Sequence, residues 1–75
     1  MPHIVVKCYK GRSKEQLQSI AEKIAQTTAE AFGMSEDKVS VSVEEVDKEE
    51  WKSIYKNEIL GNLDTLYVKP KYEIE

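Results

Sequence analysis

The feature that most constrains this chain is a long stretch of helical periodicity enclosed between two runs of alternating β-branched residues. Ser13 begins the stretch with Gln16 three residues later, which is the spacing of a capping box, and Gly33 stands where a helix commonly ends. The sequence therefore predicts a helix from Ser13 to Phe32, about 30 Å long. Its apolar or small face holds Leu17, Ile20, Ala21, Ile24, Ala25, Thr28, Ala31 and Phe32.

The two flanking runs predict strands. The first covers His3 to Tyr9 and the second Lys38 to Val46. Because the helix between them is long enough to run back along the sheet, we expect a parallel pair with a right-handed crossover. The face expected to lie under the helix holds Ile4, Val6, Cys8, Val39, Val41 and Val43. The opposite face is mixed and holds His3, Val5, Lys7, Tyr9, Ser40, Ser42 and Glu44.

A second, shorter helix is predicted after the second strand. Asp47 with Glu50 three residues later is a further N-cap pattern, and Gly61 and Asn62 are expected to fray or end the helix. The apolar residues that follow the cap at helical spacing are Trp51, Ile54, Tyr55, Ile59 and Leu63.

The rest of the chain is predicted to be extended. Leu66 to Val68 have the composition of a short strand before Pro70, and the tail from Lys71 to Glu75 is expected to pack on a partner. The predicted fold class is α/β (α+β), as one domain over residues 1–75. It consists of a βαβ unit with parallel strands, a short second helix and a C-terminal strand or tail.

Chain length predicts that the protein works as a homo-oligomer. A domain of 75 residues buries only about 60% of its unfolded surface, and the single cysteine, Cys8, excludes an internal disulfide. Two strands alone also leave both edges of the sheet open, so pairing between subunits is the natural remedy. A dimer is favoured over a hexamer because the mixed face is poorly suited to burial between dimers.

Charge and hydropathy limit the other partners. The formal charge is −3 and the basic residues are scattered, which argues against a nucleic-acid partner. No apolar run approaches the roughly 20 residues that a membrane span needs, and no apolar signal segment opens the chain. We therefore expect a cytoplasmic protein with no membrane partner.

The usual catalytic motifs are absent from the sequence. It contains no phosphate-binding glycine loop, CxxC, HExxH or GxSxG. His3 and Cys8 have opposite parity on one strand and cannot form a nucleophile pair, so His3 is expected at the surface or an interface and Cys8 in the core. Pro2 can be a simple strand-start residue, or, if Met1 is removed, a secondary amine that takes up a proton.

Several runs together resemble the 4-oxalocrotonate tautomerase family, whose short βαβ chains carry an amino-terminal catalytic proline. They are Pro2-His3-Ile4-Val5-Val6, Gly11-Arg12-Ser13-Lys14-Glu15-Gln16, the long helix, and Val39-Ser40-Val41-Ser42-Val43-Glu44. The stretch from Trp51 through Lys69-Pro70, with the opening Pro-His-Ile and Lys7-Cys8, more closely resembles the PptA-like subgroup, which acts on phenylenolpyruvate-like enols.

This resemblance implies a cofactor-free keto–enol tautomerase of 2-oxo acids that uses no metal. Pro2 matches the general base, Arg12 an arginine that binds the substrate carboxylate, and Trp51 an aromatic residue that shapes an apolar pocket. The alternative interpretation of Arg12 is a solvated loop residue near a helix N-terminus, with the substrate role favoured. The alternative for Trp51 is a core anchor, a role that is compatible with the pocket wall. Tyr55, Phe32 and Tyr67 are further candidates for the pocket wall, although core packing is favoured for Phe32.

One departure from the family pattern affects the expected substrate. The hexameric enzymes carry a second arginine in the middle of the second strand, and this chain has Ser40 there. A dicarboxylate would lose a partner for one charged end, so we expect a substrate with one carboxylate and an apolar or aromatic tail. Arg12 is expected to hold that carboxylate and, as a nearby cation, to lower the pKa of the Pro2 amine.

The sequence leaves two alternative functions open. A hydratase or dehalogenase of the same superfamily would use a protonated proline and a carboxylate that activates water, for which Glu44, Glu45 and Glu50 are candidates. A non-catalytic oligomeric scaffold or small-ligand binder could also keep the fold, since the mid-strand arginine is missing.

Overall fold

A computed structural model describes residues 1–73 of the protein. The chain divides into two compact units, one from Met1 to Glu45 and one that begins at Val46, and each is described by itself. The strands and α-helices, in chain order, are β1 (His3–Tyr9), α1 (Lys14–Phe32), β2 (Ser40–Val46) and α2 (Lys48–Ile54).

Helix α1 begins and ends at the residues that the sequence indicates. The Ser13 hydroxyl accepts from the Gln16 amide at 3.2 Å, and the Gln16 side-chain oxygen accepts from the Ser13 amide at 3.0 Å. These two bonds form the capping box and satisfy amides that a helix start leaves without partners. At the other end Gly33 takes the left-handed conformation (φ 69°, ψ 41°), which glycine adopts without steric cost.

The sheet of the first unit consists of β1 and β2. The Ser40 amide donates to the Pro2 carbonyl at 3.2 Å, so the two strands start together. At the far end, the Gly11 amide donates to the Glu45 carboxylate at 3.1 Å, so the strands also finish together. The pair is therefore parallel, as predicted. Strand β2 begins two residues later than predicted because Glu36–Lys38 forms a 3₁₀ turn.

Little of the apolar surface of residues 1–73 is fully buried within the chain. Ala29 and Val46 are the buried apolar side chains among them. Cys8 is half-buried. Phe32, at the end of α1, is 63% exposed, so the prediction that it packs in the core is wrong for the single chain. The residues predicted to lie under the helix, from Ile4 to Val43, are each partly covered.

The second unit opens with helix α2. The Asp47 carboxylate accepts from the Glu50 amide at 2.8 Å, which confirms the predicted N-cap. Helical turns continue beyond α2 as a π-helical turn, Tyr55–Ile59, and a 3₁₀ segment, Leu60–Thr65. Gly61 therefore does not end the helical course, and the regular conformation breaks instead at Asn62 (φ −133°, ψ 40°).

No strand follows these turns within the described residues. Leu66 to Val68, predicted as a short strand, are irregular, and so are the residues from there to 73. A strand needs a hydrogen-bonded neighbour, and β-branched composition alone does not supply one. The predicted extended tail reaches Ile74 and Glu75, which lie outside the described residues. The fold is thus a small α+β arrangement of a βαβ unit followed by a second helix.

Candidate active site

Pro2 lies just before β1 and is held there by the neighbouring strand. Its carbonyl accepts the Ser40 amide at 3.2 Å, and its side chain is half-buried. Met1 in front of it is 96% exposed. While Met1 is attached, the Pro2 nitrogen is a tertiary amide without a basic lone pair. Removal of Met1 would turn it into a secondary amine at a point that the backbone pairing fixes.

Ser40 lies beside Pro2, at the first position of β2. The prediction that it occupies the middle of the second strand is therefore wrong, because β2 begins at Ser40 and not at Lys38. Its hydroxyl also lies 2.7 Å from the Nδ1 atom of His3. The two side chains belong to the mixed face of the sheet, and both residues are exposed, as expected for His3.

Arg12 lies in the turn that follows β1. Its amide donates to the Glu45 carboxylate at 3.4 Å, beside the shorter bond from Gly11. Gly11 has φ 126°, a conformation open to glycine and strained for other residues. One guanidinium nitrogen of Arg12, Nη1, donates to the Tyr9 carbonyl at 3.1 Å. The turn is thus fixed by Glu45, and the exposed guanidinium keeps further donors for a ligand.

A single chain does not bring Arg12 to Pro2. The two residues lie beyond opposite ends of β1, and those ends are six steps of about 3.3 Å, or about 20 Å, apart. A small 2-oxo acid cannot span that distance. Arg12 therefore cannot hold the substrate of the Pro2 in its own chain, and it cannot change the pKa of that amine.

Trp51 lies on α2 in the second unit. Its amide donates to the Asp47 carbonyl at 3.0 Å, and its side chain is half-buried. Tyr55 of the same unit lies near Tyr72, with ring centroids 5.9 Å apart and ring planes inclined by 36°. Tyr67 is 94% exposed. The role of Trp51 in a substrate pocket stays a prediction.

Two further features of the described residues bear on the site. Residues 1–73 contain no group of three or more His, Cys, Asp or Glu side chains placed to hold a metal ion. An open groove of about 320 Å³ runs between α1 and β2 and includes neither Pro2 nor Arg12. It is lined by Lys14, Leu17, Gln18, Ala21, Val41 and Val43.

The family model described as "Tautomerase enzyme" matches residues 2–53, from Pro2 through β1, α1 and β2 into α2. The chain belongs to the 4-oxalocrotonate tautomerase family. The match begins at the proline that opens β1 and includes Arg12, Ser40 and Trp51. The family assignment makes the protein an isomerase of the tautomerase type, which interconverts keto and enol forms.

Individual tautomerases agree with this assignment. Tautomerase PptA of Cronobacter sakazakii is 41% identical over 76 aligned positions, which cover 99% of this chain and all of the relative. The 2-hydroxymuconate tautomerase of Bacillus subtilis is 37% identical over 51 positions, 68% of this chain and 82% of the relative. The crystal structure of YwhB, a homologue of 4-oxalocrotonate tautomerase, is similar with a TM-score of 0.59 and 38% identity over 63% of this chain and 77% of that one.

Two side-chain contacts near the tautomerase site were not predicted from the sequence. Glu45 was considered as a carboxylate that activates water, and it instead binds the backbone of the turn that carries Arg12. The contact between His3 and Ser40 was also missed. Its signal was present, because both residues fall on the same face of adjacent parallel strands that start together.

No helix within residues 1–73 combines the length and the apolar character that crossing a membrane requires.

Proposed function

We propose that this tautomerase converts enol forms of 2-oxo acids into their keto forms, with the Pro2 nitrogen as general base after Met1 is removed. The observation that carries the proposal is the position of Pro2. It directly precedes β1, and the Ser40 amide fixes its carbonyl, so the ring nitrogen has a defined place at the start of the sheet. No metal and no cofactor enters the reaction.

The reaction is a transfer of one proton between two atoms of the substrate. The lone pair of the neutral Pro2 amine takes the proton of the enol hydroxyl and leaves an enolate with negative charge on the 2-oxygen. As that oxygen forms the C=O bond at C2, the electron pair of the C2=C3 double bond takes a proton from the resulting ammonium group and forms the new C–H bond at C3. The amine is neutral again, and base catalysis of this kind contributes about 10²–10⁴-fold.

Arg12 acts in this proposal from a second copy of the chain. Its separation of about 20 Å from the Pro2 of its own chain excludes a joint role within one copy. Its exposed guanidinium fits a carboxylate by two parallel hydrogen bonds. Placed beside the Pro2 of another copy, this cation lowers the pKa of the amine and keeps more of it neutral at working pH.

Ser40 sets the charge of the substrate in the same proposal. The residue beside Pro2 on β2 has a neutral side chain, so a second carboxylate near the base has no cationic partner from that position. The favoured substrate is a monoacid with an apolar or aromatic tail, and phenylenolpyruvate is the model compound. Trp51, an aromatic residue on α2, is proposed to contact that tail.

The homo-oligomer follows from what the single chain leaves uncovered. Among residues 1–73, Ala29 and Val46 are the buried apolar side chains, while Phe32, Tyr67 and Val68 are 63%, 94% and 87% exposed. Within the same residues, no third strand pairs with the outer edges of the two-stranded sheet. We propose a dimer in preference to a hexamer, because the mixed face, which carries the polar contact between His3 and Ser40, is poorly suited to burial between dimers.

Residues 1–75 are proposed to act as one domain in the cytoplasm. The family match crosses the boundary between the two compact units, and the PptA relative aligns over its entire length. The single cysteine favours the cytoplasm.

The test is an enol-to-keto assay on phenylenolpyruvate with untagged protein whose intact mass shows that Met1 is absent. Pro2→Ala, processed in the same way, keeps a free amino terminus without the proline ring and is the matched control. We expect the parent protein to exceed buffer clearly and Pro2→Ala to fall by about 10²-fold or more. No rate above buffer, or an equal rate for Pro2→Ala, would show that the proposed function is wrong.

A further inference from the structure

His3 directly follows the proposed base in the chain, and a hydrogen bond holds its imidazole. Ser40 makes two contacts at the start of the sheet, one from its amide to the Pro2 carbonyl at 3.2 Å and one from its hydroxyl to His3 Nδ1 at 2.7 Å. One residue of β2 thus fixes both Pro2 and the side chain that follows it. The exposure of His3 and Ser40 leaves this arrangement open to a ligand.

The contact with Ser40 fits the tautomer in which His3 donates from its other ring nitrogen. When the Ser40 hydroxyl donates to Nδ1, the imidazole proton resides on Nε2, which then donates to an external acceptor. His3 directly follows Pro2, and consecutive Cα atoms are about 3.8 Å apart, so the proposal places the imidazole and the Pro2 nitrogen against one small substrate.

The tautomerase reaction needs a hydrogen-bond donor at this point. Removal of the enol proton by Pro2 leaves negative charge on the 2-oxygen until C3 is protonated, and a fixed donor stabilises such a charge. Position 40 carries a serine, whose side chain is neutral, and that serine is hydrogen-bonded to His3. The donor at the start of the sheet is therefore carried by β1 and oriented by β2.

We propose that His3 is a catalytic residue that donates its Nε2 hydrogen to the 2-oxygen of the substrate, and that Ser40 is the positioning residue that orients the imidazole. This inference rests on the proposed function, in which Pro2 is the base. It adds the group that stabilises the oxygen while the base holds the proton.

The experiment measures kcat and KM for phenylenolpyruvate in protein lacking Met1. We expect His3→Ala to lower kcat by about 10²-fold with KM changed less than about threefold, because the lost donor acts on charge that develops in the reaction. We expect His3→Gln, which keeps an N–H donor, to recover at least about tenfold of that loss. Pro2→Ala in the same assay reports separately on the base.

A double-mutant cycle tests whether Ser40 acts through His3. We expect Ser40→Ala to lower kcat by about tenfold in the parent protein and to have no further effect in His3→Ala, because the hydroxyl then has no imidazole to orient. Ser42→Ala is the matched control, since it removes a hydroxyl from the same face of β2 two residues away. Ser42→Ala should keep the parent kcat.

The outcomes separate the role of His3 and Ser40 from the role of Pro2 as the base. If His3→Ala keeps kcat within threefold while Pro2→Ala is inactive, the role of His3 is wrong and the base stands. Equal losses for Ser40→Ala and Ser42→Ala, or an undiminished Ser40 effect in His3→Ala, would contradict the positioning role. An inactive parent protein would overturn both. Folding and assembly of every variant are measured by circular dichroism and by sizing. If His3→Ala fails to assemble, the comparison of Ser40→Ala with Ser42→Ala tests the proposal instead.

Discussion

Mixing two inactive variants tests whether each active site is shared between copies of the chain. Pro2→Ala removes the base and Arg12→Ala removes the carboxylate partner. We expect Pro2→Ala to lower the rate by about 10²-fold or more and Arg12→Ala to lower it by about 10–100-fold. The ends of β1 lie about 20 Å apart, so in the proposed site Pro2 comes from one chain and Arg12 from another.

The recovered activity follows from counting the intact sites in a mixed oligomer. After the two variants are unfolded, mixed in equal amounts and refolded, half of the sites contain an intact Pro2. Half of those face a neighbour with an intact Arg12, so about one quarter of the parent activity should return in a symmetric assembly with random pairing. This fraction is the same for a dimer and for a hexamer, so the assay does not depend on the oligomeric state.

The assay is phenylenolpyruvate ketonisation at equal total chain concentration, with each variant refolded alone as the control. If both residues act within one chain, no mixed oligomer contains an intact site. The mixture would then show only the mean of the two separate variants. That result, obtained with subunit exchange verified by mass spectrometry, would refute the placement of Arg12 across a subunit boundary.

Three further substitutions have expected outcomes. Ser40→Arg places a cation beside Pro2, so we expect it to raise kcat/KM for the dicarboxylate 2-hydroxymuconate relative to phenylenolpyruvate by about tenfold or more, measured with both substrates on one preparation. Glu45→Ala removes the acceptor of two backbone amides and should lower the free energy of unfolding by about 1–3 kcal/mol in urea titrations, against less than about 0.5 kcal/mol for the exposed Glu44→Ala. Ser13→Ala removes the N-cap of α1 and should lower the free energy of unfolding by about 1 kcal/mol, whereas the exposed mid-helix Ser19→Ala should leave it unchanged. An equal loss for Ser19→Ala and Ser13→Ala would refute the capping argument.

The helices were predictable where a local hydrogen bond defines their ends. Ser13 with Gln16, and Asp47 with Glu50, each make the side-chain contact that their spacing indicates. The segment from Leu66 to Val68 was not predictable in this way, because a strand depends on a neighbour elsewhere in the fold. Its apolar side chains indicated burial and not the conformation of the backbone.

The site was predictable as a set of residue types and not as an arrangement. Pro2 and Arg12 stay predictions as site residues, and their separation along β1 becomes evident only when both ends of the strand are located. The resemblance implies that Ser40 stands in place of an arginine. Its contact with His3 depends on the register of the two strands, which the hydrogen bond from Ser40 to Pro2 fixes.

Removal of Met1 in vitro shows whether the free amine of Pro2 is the base. Protein that retains Met1 is treated with methionine aminopeptidase, and samples are taken for intact mass and for the rate on phenylenolpyruvate. The rate should be at the buffer level at the start and should rise in proportion to the fraction of chains that have lost Met1. Full activity in protein that retains Met1, or no rise as Met1 is removed, would contradict the claim.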